Sequence, residues 1–242
     1  MCDEPGDSLI LGLAGQKRVG KDTFADYLVE NFGFVKLAFA EPIKHIACII
    51  FNLDYDKLDD MDKEAIMPEY GISLRQFYQK FGTELMRNDI YNHLPELETK
   101  VPKHYIWIHN LLQRIQKLRE KGHNRFVISD VRFKDEADAV LGAGGKLVKI
   151  IRPSFEYMDN HTSETSINSF TPEMITCEVE NTGDLEFYHE TIRLTMGKHF
   201  FNVPPVRPPT PIPPSLPPPP PLHIRDPSTG VDFVQMYYNQ MK

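Results

Sequence analysis

Apolar and polar residues alternate along the first 200 positions with two distinct periods. "SLILGLA" (8–14) is a short apolar run ending in small residues, which by length and flanks reads as a buried strand. "KDTFADYLVENFG" follows, with Phe24, Tyr27, Leu28 and Phe32 at helical spacing and Gly33 as a stop. "FVKLAFA" (34–40) reads as a second strand, and "PIKHIACIIF" (42–51) as a helix opened by proline. Ser73 is a fitting N-cap for the helix "SLRQFYQKFGTELMR" (73–87), and a longer amphipathic helix spans 105–122. "RFVISD" (125–130) is a buried strand ending in an acid, and a helix over 133–145 stops in glycines. Strands at 146–153 and 175–181 and a helix at 183–198 complete the pattern. Strands that alternate with helices predict an α/β fold: a parallel sheet of about five strands with helices on both faces.

The pattern stops near Val203. Twelve of the eighteen residues at 204–221 are proline. Proline lacks the amide hydrogen and fixes φ, so this stretch predicts a polyproline rod of roughly 55 Å, at about 3.1 Å per residue. The expected organisation is a folded domain over 1–203, a Pro-rich linker over 204–221 and a tail over 222–242. That tail carries Phe233, Tyr237 and Tyr238 but is too short for a core of its own. A disordered tail and a segment that docks on its own domain, a second subunit or a partner are both open readings.

Charge and cysteine content narrow the function classes. A net charge of −7 argues against a broad nucleic-acid surface, and no apolar run approaches the ~18 residues of a membrane span. The acidic start lacks an export signal, and three cysteines without a C-x-x-C pair point to a reduced, cytoplasmic location.

Chemistry concentrates at "GLAGQKRVGKDT", between the first strand and the first helix. Gly15, Gly20 and Lys21 fit the phosphate-loop spacing G-x-x-x-x-G-K, with Lys17 and Val19 inside the loop. In that context inward-pointing amides and a helix N-terminus would cradle phosphates. The pattern departs at Asp22, which stands where Ser or Thr is usual; Thr23 is one place later and can help hold Mg²⁺. Asp22 suits the first helical turn and is a candidate to order a neighbouring arginine. Asp130, at the end of "FVISD", can hold a metal water shell, and Arg132 lies two residues on; the alternatives are a turn residue for Asp130 and, for Arg132, a solvated side chain or an ion pair with Glu136. No Asn-Lys-x-Asp guanine motif is present, and neither is the H-R-D or D-F-G of protein kinases.

Six blocks in colinear order, "AGQKRVGKDTFADYL", "FAEPIK", "LRQFYQKFGTELMR", "FVISDVRFKDEA", "IIRP…HTSE" and "EVENTGDLEFY", resemble the deoxynucleoside monophosphate kinases of phages and large DNA viruses over about residues 9–197. In that family Gly-Lys-Asp-Thr is usual. The resemblance implies a P-loop kinase fold, ATP and Mg²⁺ as cofactors, and conversion of deoxynucleoside monophosphates to diphosphates in the cytoplasm (the host's, if the chain is viral). It makes residues 15–23 the ATP-phosphate loop and Lys44, Arg75, Gln79 and Arg87 candidates for the monophosphate and its base. It sets Asp130 and Arg132 beside the reaction centre and His161 and Glu164 near the acceptor. The open alternatives are a helix edge for Lys44, helix surface for Arg75 and Arg87, a loop surface for His161 and, for Trp107, a core place against a base-stacking one. Phosphoryl transfer needs positioning and cations more than a base, so none is assigned. Competing readings are a phosphomevalonate kinase-like enzyme, which shares "GKD", "SD-x-R" and "SE", and a kinase-like scaffold acting through the proline rod and tail, with a homodimer or a tail-bound protein as partner.

Overall fold

The computed structural model describes residues 8–153 and 169–201. All five expected strands are present: β1 (Leu9–Ala14), β2 (Val35–Leu37), β5 (Arg125–Val131), β6 (Lys146–Ile151) and β7 (Ile175–Glu180). They form one sheet in the order β2-β5-β1-β6-β7, with every pairing parallel. The central strands β1 and β5 read as continuous apolar runs because both faces are covered, whereas the edge strand β7 keeps only Val179 buried. Along β1, Ile10 joins one core cluster while Leu11 and Leu13 join the other; along β5, Phe126 and Ile128 part from Val127 in the same way. Helix α1 (Lys21–Phe32) and the closing helix α7 (Leu185–His199) supply the second cluster. Helices α2 (Glu41–Phe51), α5 (Ile106–Glu120) and α6 (Lys134–Gly142) cover the other face.

Two elements differ from expectation. The strand expected over 34–40 ends at Leu37, because the amides of Phe39 and Ala40 turn to the Asp130 carboxylate instead of continuing the ladder. The helix expected over 73–87 does begin at an N-cap Ser73, in a reciprocal capping box with Gln76. After α3 (Leu74–Phe77), however, it widens into a π-type helix over Tyr78–Asp89 and closes as α4 (Ile90–His93). Inside the wide segment the Gly82 carbonyl accepts from Trp107 Nε1 at 2.8 Å, while Ile43 of α2 packs against the glycine. Trp107 is thus a core residue. Such widened helices are rare and gather at functional sites. A small antiparallel pair, β3 (Ile66–Met67) and β4 (Ile72–Ser73), was not legible in the pattern.

Candidate active site

The sheet order sets the site. β5 is inserted between β1 and β2, so Ala14, the last residue before the glycine loop, pairs with Val131 of β5 and Lys149 of β6. The loop therefore leaves the middle of the sheet beside Asp130 and Arg132, where crossovers run to opposite sides and ligands usually bind.

The loop is held by its backbone. Gly15 has φ 153°, and a Cβ there would meet the Ile150 carbonyl at 2.5 Å; Gly20 has φ 102°, and a Cβ there would meet Asn181 Nδ2 at 2.4 Å. Only glycine fits either place. Between them Arg18 takes a left-handed φ of 65°, which costs about 1–2 kcal/mol for a residue with a Cβ. Two residues absent from the candidates read in the sequence hold this shape. Asn181 Nδ2 donates to the Val19 carbonyl at 2.9 Å, and the buried Tyr188 hydroxyl donates to the Gly20 carbonyl at 3.1 Å. Both lie in "EVENTGDLEFY", so the block was visible but the contact was not. Val19 is buried, and Lys21 Nζ donates to the carbonyls of Gly15 (2.8 Å) and Gln16 (2.7 Å).

Asp22 and Thr23 sit in the first turn of α1. The arginine expected beside Asp22 is not its partner: Lys36 lies 3.0 Å away and also pairs with Asp26 at 2.9 Å. Burial pulls the Lys36 ammonium down, but the two carboxylates outweigh it and raise its pKa. Thr23 is half-buried on the same turn.

At the end of β5, Asp130 accepts from the amides of Phe39 (2.8 Å) and Ala40 (2.9 Å), one on each oxygen. Burial lifts its carboxyl above the ordinary range, opposed by the Ala40 amide, Arg132 and the Phe39 amide. Glu136 was read only as an alternative partner for the Arg132 side chain, yet its Oε2 takes backbone amides, those of Arg132 (2.8 Å) and Phe133 (3.0 Å). It is 4% exposed, and burial, reinforced by the Asp130 charge, pushes it up to about 8. The sequence signal for this contact is its position three residues into α6, where a Glu can reach back to the helix start.

The acceptor candidates divide. Lys44 pairs with Asp59 at 3.2 Å, and Asp59 with Lys63 at 2.8 Å. The Lys63 hydrogen bond, then Lys44, overcome desolvation and hold Asp59 down to about 2. Arg75 Nε lies 3.7 Å from Glu64, which binds Lys17 of the glycine loop at 2.9 Å. Glu64, which the sequence did not single out, thereby joins the loop to the start of α3. Gln79 makes no side-chain hydrogen bond among the described residues. Arg87 points elsewhere: it pairs with Asp135 of α6 at 2.5 Å and donates to the His104 carbonyl at 3.2 Å. His161 and Glu164 lie outside the described residues.

A glycine loop with its lysine, opening a helix at the centre of a parallel sheet and facing an Asp-x-Arg strand end, defines a P-loop kinase. A family model described as "Deoxynucleotide monophosphate kinase" matches residues 9–61 and 52–192. The chain is 33% identical over 189 residues to a protein of Acanthamoeba polyphaga mimivirus named as a deoxynucleotide monophosphate kinase, covering 76% of this chain and 94% of that protein. It is 20% identical over 251 residues to the "Deoxynucleotide monophosphate kinase" of Enterobacteria phage T4, covering 77% and 98%. The chain belongs to the deoxynucleotide monophosphate kinase family. Among solved structures, "Dephospho-CoA kinase from Campylobacter jejuni" is similar at a TM-score of 0.40 and 15% identity, covering 78% of this chain and 96% of that one. No described helix is long and apolar enough to cross a membrane.

Proposed function

We propose that the protein transfers the γ-phosphoryl group of ATP to a deoxynucleoside monophosphate, releasing ADP and a deoxynucleoside diphosphate. A phosphate oxygen of the acceptor attacks the γ-phosphorus while the bond to the ADP bridging oxygen breaks. The observation that carries this reading is the placement of the loop, through Ala14 and Val131, against the Asp130–Arg132 strand end in a chain of this family.

The loop, including Gly15, Lys17, Val19 and Gly20, holds the ATP phosphates with its amides, and Asp22 fixes the first turn of α1 through Lys36. Lys21 and Arg132 stabilise charge on the transferring group. Thr23 and Asp130 are the metal-side pair: hydroxyl and carboxylate are the hard oxygens Mg²⁺ selects, and each Asp130 oxygen keeps a lone pair beyond its one amide. Among the described residues no cluster of three or more His, Cys, Asp or Glu could hold a metal, and Mg²⁺ in such sites is usually bound by few protein groups, waters and phosphates. When bound, Mg²⁺ supplies charge neutralisation at the phosphate oxygens. Lys44, Arg75 and Gln79 grip the acceptor, with His161 and Glu164 assigned to the same side by resemblance alone.

ADP release measured with purified protein, ATP, Mg²⁺ and a panel of deoxynucleoside monophosphates tests this. Turnover of at least one is expected; turnover of mevalonate phosphate alone would replace the reading. Residues 193–242 lie beyond the matched region, and we assign the tail over 222–242 to self-association or a protein partner rather than to catalysis. With Cys48 and Cys177 both free, we place the enzyme in the cytoplasm, the host's if the chain is viral.

A further inference from the structure

Arg87 lies in the helix that carries the acceptor candidates, yet its side chain is turned away from them. It is 8% exposed, and its surroundings come from α6 and from the segment before α5. Nη2 pairs with Asp135 Oδ2 at 2.5 Å, Nη1 donates to the His104 carbonyl at 3.2 Å, and the guanidinium sits 4.0 Å over the Phe133 ring. A buried, stacked guanidinium with both terminal nitrogens already bonded is poorly placed to receive a phosphate, since it would have to abandon an ion pair in a dry setting.

The groups it holds lead to Arg132 in three bonded contacts, Arg87 to Asp135, Asp135 to the Glu136 amide and Glu136 to the Arg132 amide. Phe133, under the guanidinium, is the residue after Arg132. Asp135, paired with Arg87, accepts the Glu136 amide at 3.0 Å on its other oxygen. Glu136 Oε2 in turn accepts the amides of Arg132 and Phe133. Asp130, two residues before Arg132, accepts the amides that open α2. The turn 130–133 is thus clamped on one side by the acceptor helix through Arg87 and on the other by α2 through Asp130.

We infer that Arg87 is a positioning residue: it fixes the turn that presents Arg132, tying the acceptor helix to the group that stabilises the transferring phosphoryl, and does not itself bind the acceptor. This rests on the assignment of Arg132 to the reaction centre. Its consequence is a particular kinetic signature. A residue that acts through Arg132 alters the transition state and leaves ground-state binding of the monophosphate in place. A misplacement of about 1 Å can cost on the order of 100-fold in rate.

The test is a double-mutant cycle on the full chain, with ATP and a monophosphate that the wild type turns over. Arg87→Met and Arg87→Lys are measured alone and in an Arg132→Ala background, for kcat and for the KM of each substrate. Arg87→Met is expected to lower kcat by about 10- to 100-fold with the monophosphate KM within about threefold, Arg87→Lys to restore part of it, and either to cost less than about twofold once Arg132 is gone. A tenfold rise in monophosphate KM with kcat kept would make Arg87 an acceptor ligand. The same kcat loss with and without Arg132 would show that the two act separately. Arg132→Ala with wild-type kcat would remove the assignment beneath the inference, while wild-type turnover keeps the kinase reading intact. If Arg87→Met does not fold, Asp135→Asn, which keeps an acceptor oxygen without the charge, enters the same cycle with the same expected coupling.

Discussion

The two sides of this site are held by different forces. On the ATP side, neutral side chains bond the loop's main chain: Asn181 to Val19 and Tyr188 to Gly20. On the proposed acceptor side, partly exposed charges bond one another: Asp59 with Lys44 and Lys63, and Glu64 with Arg75 and the loop's Lys17. A neutral hydrogen bond to a carbonyl fixes backbone shape and does not weaken with salt. An exposed ion pair is worth less than about 1 kcal/mol, is screened, and can be exchanged for a phosphate. The contrast suits the proposed chemistry, in which the loop takes the triphosphate in every reaction while the acceptor side admits, orients and releases the monophosphate.

The largest break in that contrast comes from Lys21→Ala. The variant should lose about 10²–10³-fold in kcat while its thermal unfolding stays near wild type, since the lysine donates to loop carbonyls, those of Gly15 and Gln16, and lies outside both core clusters. Unchanged kcat would remove the phosphate-loop assignment.

Arg75→Ala should raise the monophosphate KM about tenfold and the ATP KM far less, and the difference should shrink as salt is raised through the Debye range. Equal effects on both substrates would place Arg75 outside the acceptor side.

Asn181→Ala removes one hydrogen bond to the loop. It should destabilise the protein by about 1 kcal/mol and raise the ATP KM, with no salt dependence and little change for the monophosphate. A salt-dependent loss would erase the distinction between the two sides.

Glu136 lies where the sides meet and gives a pH signature. In the unfolded chain it titrates near 4.5, and in the folded protein near 8. Between those values the folded state keeps a proton that the unfolded state has shed. Its contribution therefore lowers stability as pH rises from about 4.5 to about 8, by at most about 1.4 kcal/mol per unit, and is constant above. Glu136→Gln cannot titrate, so its stability relative to wild type should climb across that window in denaturant unfolding at pH 5, 6, 7 and 8. A flat difference would mean Glu136 is ionised in the fold.

Truncation after Val203 has the smallest expected kinetic effect. kcat should stay within about twofold of the full chain, while the mass in light scattering, or partner binding, changes. A large loss of kcat at unaltered mass would join the tail to the catalytic machinery and move the domain boundary.

What the chain settles locally is considerable. Apolar runs mark the central strands β1, β5 and β6, Ser73 and Gly33 mark helix ends, and the spacing of Gly15, Gly20 and Lys21 marks the loop, because each depends on residues within a turn or two of one another. What only the tertiary structure decided is partnership across long separations. Insertion of β5 between β1 and β2 sets Asp130 against amides 90 residues away, and Asn181 meets a loop 162 residues before it. Lys36, not an arginine, faces Asp22 because β2 runs beside α1. Arg75 and Arg87, assigned to one acceptor by the resemblance, part company: Arg75 turns to Glu64, and Arg87, beyond the widened segment, finds Asp135 in a buried setting. Periodicity records which face of an element is apolar; it carries no information about which charged residue, brought near by a crossover, will occupy the polar one.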